Sequence, residues 1–271
     1  MKPDHSFKRQ LKNLEHESNV IANYVYAEMA IQHAASKSKK LLSRLNRTPT
    51  FWIACNAAFQ SAAYIALGRI FDLKSPYNVE ALLYAMELEL ALFQKEALAT
   101  RKRDGAAKDP AWLPEYLQRA YYPTKRDVER LRRKVAEYRE IYDRAIMPVR
   151  HQYLAHRQAH DHEKVQALFG KGKVSEMWRL STFLLRLHLS LRELLLNGRK
   201  PVLRPVRYSV RAMYDSQSNR TGSHEYMVRD VKSLMSFIEA ATLNPSIERT
   251  SSSGLRPLPA SAHVKRYALM N

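Results

Sequence analysis

Pro148-Val149-Arg150-His151-Gln152-Tyr153-Leu154-Ala155-His156-Arg157 is the stretch from which the rest of the 271-residue chain can be read. It sets a guanidinium and an imidazole six residues apart, with a second imidazole between them. An arginine holds a phosphate by paired hydrogen bonds, and a histidine moves protons near neutral pH. The pair follows a long, regular apolar pattern. Pro148 should kink or restart that helix, because its ring removes one backbone hydrogen bond and crowds the preceding turn. In a straight α-helix a six-residue step turns roughly 240°, so Arg150 and His156 would not share a face. Either the helix ends or bends near Ala155, or a second copy of the motif faces the first in a symmetric dimer.

Working outward, the helix that leads into this stretch opens at Pro123. Val128, Leu131, Val135, Tyr138, Tyr142 and Ala145 follow at steps of three and four, as a narrow packing seam requires. Its opposite face carries Arg126, Arg130, Arg133 and Lys134, which read as a solvated helix face; Arg130, Arg133 and Lys134, with Arg157, are also candidate RNA-binding cations. On the far side, a loop at Gly170-Lys171-Gly172 precedes a second seam of Met177, Leu180, Leu184, Leu187, Leu191 and Leu194. Asn197-Gly198 closes it.

Toward the N-terminus, Leu11, Leu14, Val20 or Ile21, Tyr24 or Val25, and Met29 predict helix from Phe7 to about Arg47. Thr48 offers an N-cap oxygen and Pro49 suits the first turn of a helix running to about Asp72. That helix is apolar so far around its circumference, and so rich in small residues, that it reads as a central one. Ser75-Pro76 starts a third helix over roughly Tyr77 to Lys102, and Trp112 to Ala120 reads as a short one. The expected fold is all-α, a helical bundle with a basic C-terminal extension. Its expected divisions are an N-terminal helix packing on the bundle (1–48), the bundle proper (49–197), a basic extension (198–243) and a flexible tail (244–271). Within the extension, Val202, Val206, Tyr208 and Val210 alternate among basic residues as in an extended arm or short strand, and Glu225 to Ala241 reads as helix.

Composition narrows the function. Lys and Arg number 45 against 26 Asp and Glu, a net charge of +19, which attracts polyanions and makes nucleic acid the first partner to consider. From Gly198 onward, 12 basic residues stand against 5 acidic ones, so the extension shares this bias without being its only source. Cys55 is the only cysteine, which excludes an intrachain disulfide and a cysteine-based zinc site. The N-terminus lacks the apolar core of a secretion signal, and the most membrane-like run, Phe51 to Leu67, is interrupted by Asn56, Gln60 and Ser61. These features predict a soluble, cytoplasmic protein. His156, His160 and His162 raise a metal question: the first two, four apart, could share a helical face with Asp161 or Glu163 as an additional ligand, but the spacing matches no zinc signature. No glycine-rich phosphate loop, serine nucleophile elbow or paired-carboxylate site stands out. No metal and no cofactor are expected.

The segment Arg150-His151-Gln152-Tyr153-Leu154-Ala155-His156-Arg157 resembles the signature of the HEPN superfamily: an arginine, a polar residue, variable positions and a histidine. It is most similar to the abortive-infection (AbiU-type) branch, where alanine often precedes the histidine and arginine follows it. A second matching stretch, Ala66-Leu67-Gly68-Arg69-Ile70-Phe71-Asp72, ends an early helix. The resemblance implies a helical bundle and metal-independent endoribonuclease chemistry in a defence or toxin–antitoxin system. Arg150 and His156 would be catalytic, with His151, Asp72 and Arg69 in support. Asp72 would orient the arginine or histidine across the bundle, or else pair structurally with Arg69. The resemblance further implies a homodimer bringing two motifs together, RNA as substrate, and a nucleotidyltransferase-type antitoxin as partner. A nonenzymatic RNA-binding or regulatory module is the alternative it allows.

Overall fold

The computed structural model describes residues 6–105, 108–155, 173–204, 209–215 and 223–241. Every regular element among them is helical, and no helix is long and apolar enough to cross a membrane. The chain divides into two compact units, Met1–Val25 with Ser61–Arg207, and Tyr26–Gln60 with Tyr208–Asn271. The division falls within the two longest early helices, α1 (Phe7–Lys37) and α3 (Pro49–Phe71).

The first unit holds the start of α1, the end of α3, α4 (Val79–Leu88), a 3₁₀ turn (Leu90–Phe93), α5 (Lys95–Arg103) and α6 (Leu113–Arg119). It continues with α7 (Lys125–Ala145), the single turn α8 (Met147–Val149) and α9 (Val174–Asn197). The two predicted seams form its core. Val128, Leu131, Val135, Tyr142 and Ala145 of α7 are buried, as are all six apolar seam residues of α9. Tyr138 is half-buried and stacks on Phe183 of α9 at 3.8 Å between ring centroids. Thr124 and Asp127 cap α7 reciprocally, so the helix begins at Lys125 rather than at Pro123. Gly198 ends α9 in the left-handed conformation (φ 56°), which favours glycine.

The predicted helix over 77–102 is three shorter pieces. Asn78 caps α4 by accepting from the Ala81 amide at 2.9 Å, which sets the start at Val79 rather than at Tyr77. The chain then tightens through the 3₁₀ turn before α5. Periodicity alone does not register such breaks, since the apolar positions on either side still fall every three or four residues.

The second unit contains the end of α1, α2 (Lys39–Leu45), the start of α3, α10 (Val210–Asp215) and α11 (Ser223–Ala240). The helix predicted from Phe7 to Arg47 breaks at Ser38, whose extended backbone and side-chain oxygen cap α2. Arg44 of α2 donates to the Ile238 and Ala241 carbonyls at the end of α11, satisfying acceptors that the helix leaves open. Ser38 also bonds the Glu239 carboxylate. The start of α3 is less central than its composition suggested: Phe51, Ile53, Ala54, Ala57 and Ala58 are exposed, whereas Ala63, Tyr64, Ala66, Leu67, Ile70 and Phe71 are buried. Burial follows what packs against a helix, which composition does not specify. Residues 199–204 are neither helix nor strand, and the predicted tail lies outside the described residues.

Candidate functional site

Pro148 reshapes the backbone as expected. Helix α7 ends at Ala145, α8 makes one turn, and Arg150–Ala155 follow as a π-helix, a wider turn often found at functional sites. Val149 is fully buried, which anchors this irregular segment to the core immediately before Arg150.

Arg150 reaches the end of α3. Its Nη1 donates to Asp72 Oδ2 at 2.8 Å and to the Tyr142 hydroxyl at 3.3 Å. The opposing side chains are 26% exposed for Arg150 and 22% for Asp72, so the pair is partly shielded and still reached by solvent. Asp72 Oδ1 accepts from the Lys74 amide at 3.0 Å, which fixes the carboxylate at the point where α3 gives way to a turn. The hydrogen bond from Arg150, then that from the Lys74 amide, holds the Asp72 carboxyl below its ordinary range, and His151 adds to this effect. For Arg150, burial works toward a lower value, but the hydrogen bonds it donates to Asp72 and Tyr142 prevail and keep the guanidinium firmly charged.

The floor of the site comes from α3 and α7. Tyr142 is 2% exposed and stacks on Phe71 at 5.4 Å; burial pushes its phenol up, so it stays neutral. Arg139 of α7 donates to the Phe71 carbonyl at 2.6 Å, tying the last turn of α3 to α7. The Arg150 side chain runs over Gly68: a Cβ there would lie 2.4 Å from Nε and 2.6 Å from Cδ.

Asp72, Arg150 and His151 are thus brought together, with His151 exposed. Arg69 is not part of this group. It turns to Glu17 of α1 at 3.2 Å, which answers the alternative pairing raised for Asp72. His156, Arg157, His160, Asp161, His162 and Glu163 lie outside the described residues. On α7, Arg126, Arg130 and Arg133 are exposed; Arg130 approaches Asp127 at 3.5 Å and Lys134 pairs with Glu137 at 2.6 Å. Two residues of the site escaped the sequence reading as such. Tyr142 was legible only as a packing residue. Gly68 was legible as a small residue allowing close approach and as part of the second matching stretch, but not as the space through which Arg150 passes; a glycine inside a helix, where alanine is more stable by about 1 kcal/mol, is a signal of such approach.

No curated protein and no solved structure matches the chain. The HEPN family model described as AbiU2 matches residues 4–209, a span that contains Asp72, Tyr142 and the whole Arg150–His156 stretch. With most of its length so matched, the chain belongs to the AbiU2 abortive-infection branch of the HEPN superfamily.

Proposed function

We propose that this protein is a metal-independent endoribonuclease acting in antiviral defence or a toxin–antitoxin system, through Arg150 and His156 at a homodimer interface. The observation that carries this reading is the shielded, permanently charged Arg150, held by Asp72 and Tyr142 at a π-helical turn inside a HEPN domain. Among the described residues its side-chain hydrogen bonds leave from Nη1, and the planar fork of a guanidinium carries further donors suited to a phosphate oxygen.

In this mechanism the ribose 2′-oxygen attacks the adjacent phosphorus and the bond to the 5′-oxygen breaks, leaving a 2′,3′-cyclic phosphate. His156 takes the 2′-proton, or gives a proton to the departing 5′-oxygen, with the histidine of a second copy suited to the complementary role. Arg150 stabilises the charge that builds on the phosphoryl oxygens. His151 orients the phosphate. The exposed Arg126, Arg130 and Arg133, with Lys134 and Arg157, steer and grip the RNA backbone. DNA lacks the 2′-hydroxyl and is not cut. A nucleotidyltransferase-type antitoxin is the partner we expect to hold the enzyme silent.

The test is incubation of the parent and His156→Ala with total cellular RNA in EDTA, followed by analysis of product ends. Cyclic-phosphate ends from the parent alone support the assignment. RNA that is bound but intact in both samples replaces it with the second reading, a nonenzymatic RNA-binding or regulatory module, which the basic balance of +19 also favours.

A further inference from the structure

We propose that Gly68 and Tyr142 are positioning residues for Arg150, a role that rests on the reading of Arg150 as the group facing the phosphate. The physical argument begins with the glycine. Gly68 sits within α3, three residues before its end, where alanine would strengthen the helix. Its backbone does not need the left-handed conformation, so conformational freedom does not explain it. Space does. A Cβ at Gly68 would stand 2.4 Å from Nε, 2.6 Å from Cδ and 2.8 Å from Cζ of Arg150, distances at which one group must move.

With a side chain at position 68 the guanidinium could not lie across α3 and reach Asp72 one turn further on. Tyr142 then fixes the remaining freedom. Its ring is locked by burial and by the stack on Phe71, so its hydroxyl is a rigid second acceptor for Nη1. Two acceptors on one nitrogen, with the stem confined above a glycine, set both the depth and the rotation of the guanidinium. A long, otherwise flexible side chain is ordered before any ligand arrives, and preorganisation of this kind lowers the entropy lost on binding.

The test is a double-mutant cycle read by thermal unfolding as well as by RNA cleavage. Gly68→Ala should lower the Tm in the parent. In an Arg150→Ala background, where the obstructing side chain is gone, the same change should raise the Tm by about 2–4 °C through helix propensity alone. An equal shift in both backgrounds overturns the proposal, whether or not the protein cleaves RNA, and the double variant removes the clash that could prevent Gly68→Ala from folding. If cyclic-phosphate ends establish the RNase, Gly68→Ala should lose as much activity as Arg150→Ala, about 10²–10³-fold, with no further loss in the double variant. Tyr142→Phe keeps the ring and its stack. It should keep the parent Tm within about 2 °C while slowing cleavage about tenfold. A parent-like rate for it removes Tyr142 from the proposal.

Discussion

Asp72 in the first unit and Glu28 in the second are both carboxylates drawn in from solvent, and the protein treats them in opposite ways. Asp72 faces a full positive charge at 2.8 Å and a backbone amide at 3.0 Å, and its ionised form is favoured. Glu28, 8% exposed on α1, accepts from two side-chain amides among the described residues: Gln60 Nε2 at 3.0 Å and Gln32 Nε2 at 3.3 Å. Burial raises its pKa, and the bond from Gln60 offsets this only in part. Hydrogen bonds from amides offset part of the cost of burying a carboxylate, and a neighbouring counter-charge adds to them in favouring the ionised form. The first unit has therefore placed an ion pair where charge can be used, and the second has made a helix-to-helix hydrogen-bond junction.

The largest expected effects separate the two regions by activity. His156→Ala should slow cleavage by about 10²–10⁴-fold, whereas Glu28→Gln should leave the rate at the parent value. Initial rates on one RNA preparation decide this, and an equal loss in Glu28→Gln would end the idea that chemistry is confined to the first unit. Next comes stability. Asp72→Ala strips Arg150 of its only carboxylate among the described residues and should cost about 1–3 kcal/mol in urea unfolding. A cost near zero would mean that the pair behaves as an ordinary surface pair.

The pH dependence should have opposite signs in the two regions. The Asp72 pKa is lowered on folding, so its contribution is complete above the unfolded value of about 3.9 and disappears as pH falls through the folded one. The Glu28 pKa is raised, so its effect is most favourable below about 4.3 and stability declines as pH rises toward and through the folded value. Tm measured against pH for Asp72→Asn and Glu28→Gln should flatten one limb each, and the same limb in both would break the comparison. The smallest effect belongs to Arg69→Ala. Its side chain is 56% exposed opposite Glu17, so stability should change by less than about 1 kcal/mol and cleavage not at all.

Much of the first unit was legible residue by residue. The α7 and α9 seams, the Asn197-Gly198 stop of α9 and the disruption at Pro148, like the Thr48-Pro49 start of α3 in the second unit, all depend on neighbours within a turn, which is the range over which sequence pattern acts. The breaks at Ser38 and Asn78 were missed because a cap competes with a continuous helix by a single hydrogen bond, and the apolar spacing passes through it unchanged. Asp72 was readable as a candidate because it ends the second motif, yet its two possible arginines could not be separated by spacing.

By itself, the sequence determined an all-α chain of strongly basic character with an arginine and a histidine set around a helix-breaking proline, because composition and local periodicity need no knowledge of distant residues. Only the tertiary structure decided that Asp72 takes Arg150, 78 positions away, while Arg69 takes Glu17. It alone also showed that Gly68 and Tyr142 shape the space through which that arginine passes. Partner choice between charged side chains, and the need for an absent Cβ, arise when separate helices are brought within a few ångströms. No one-dimensional pattern carries that distance.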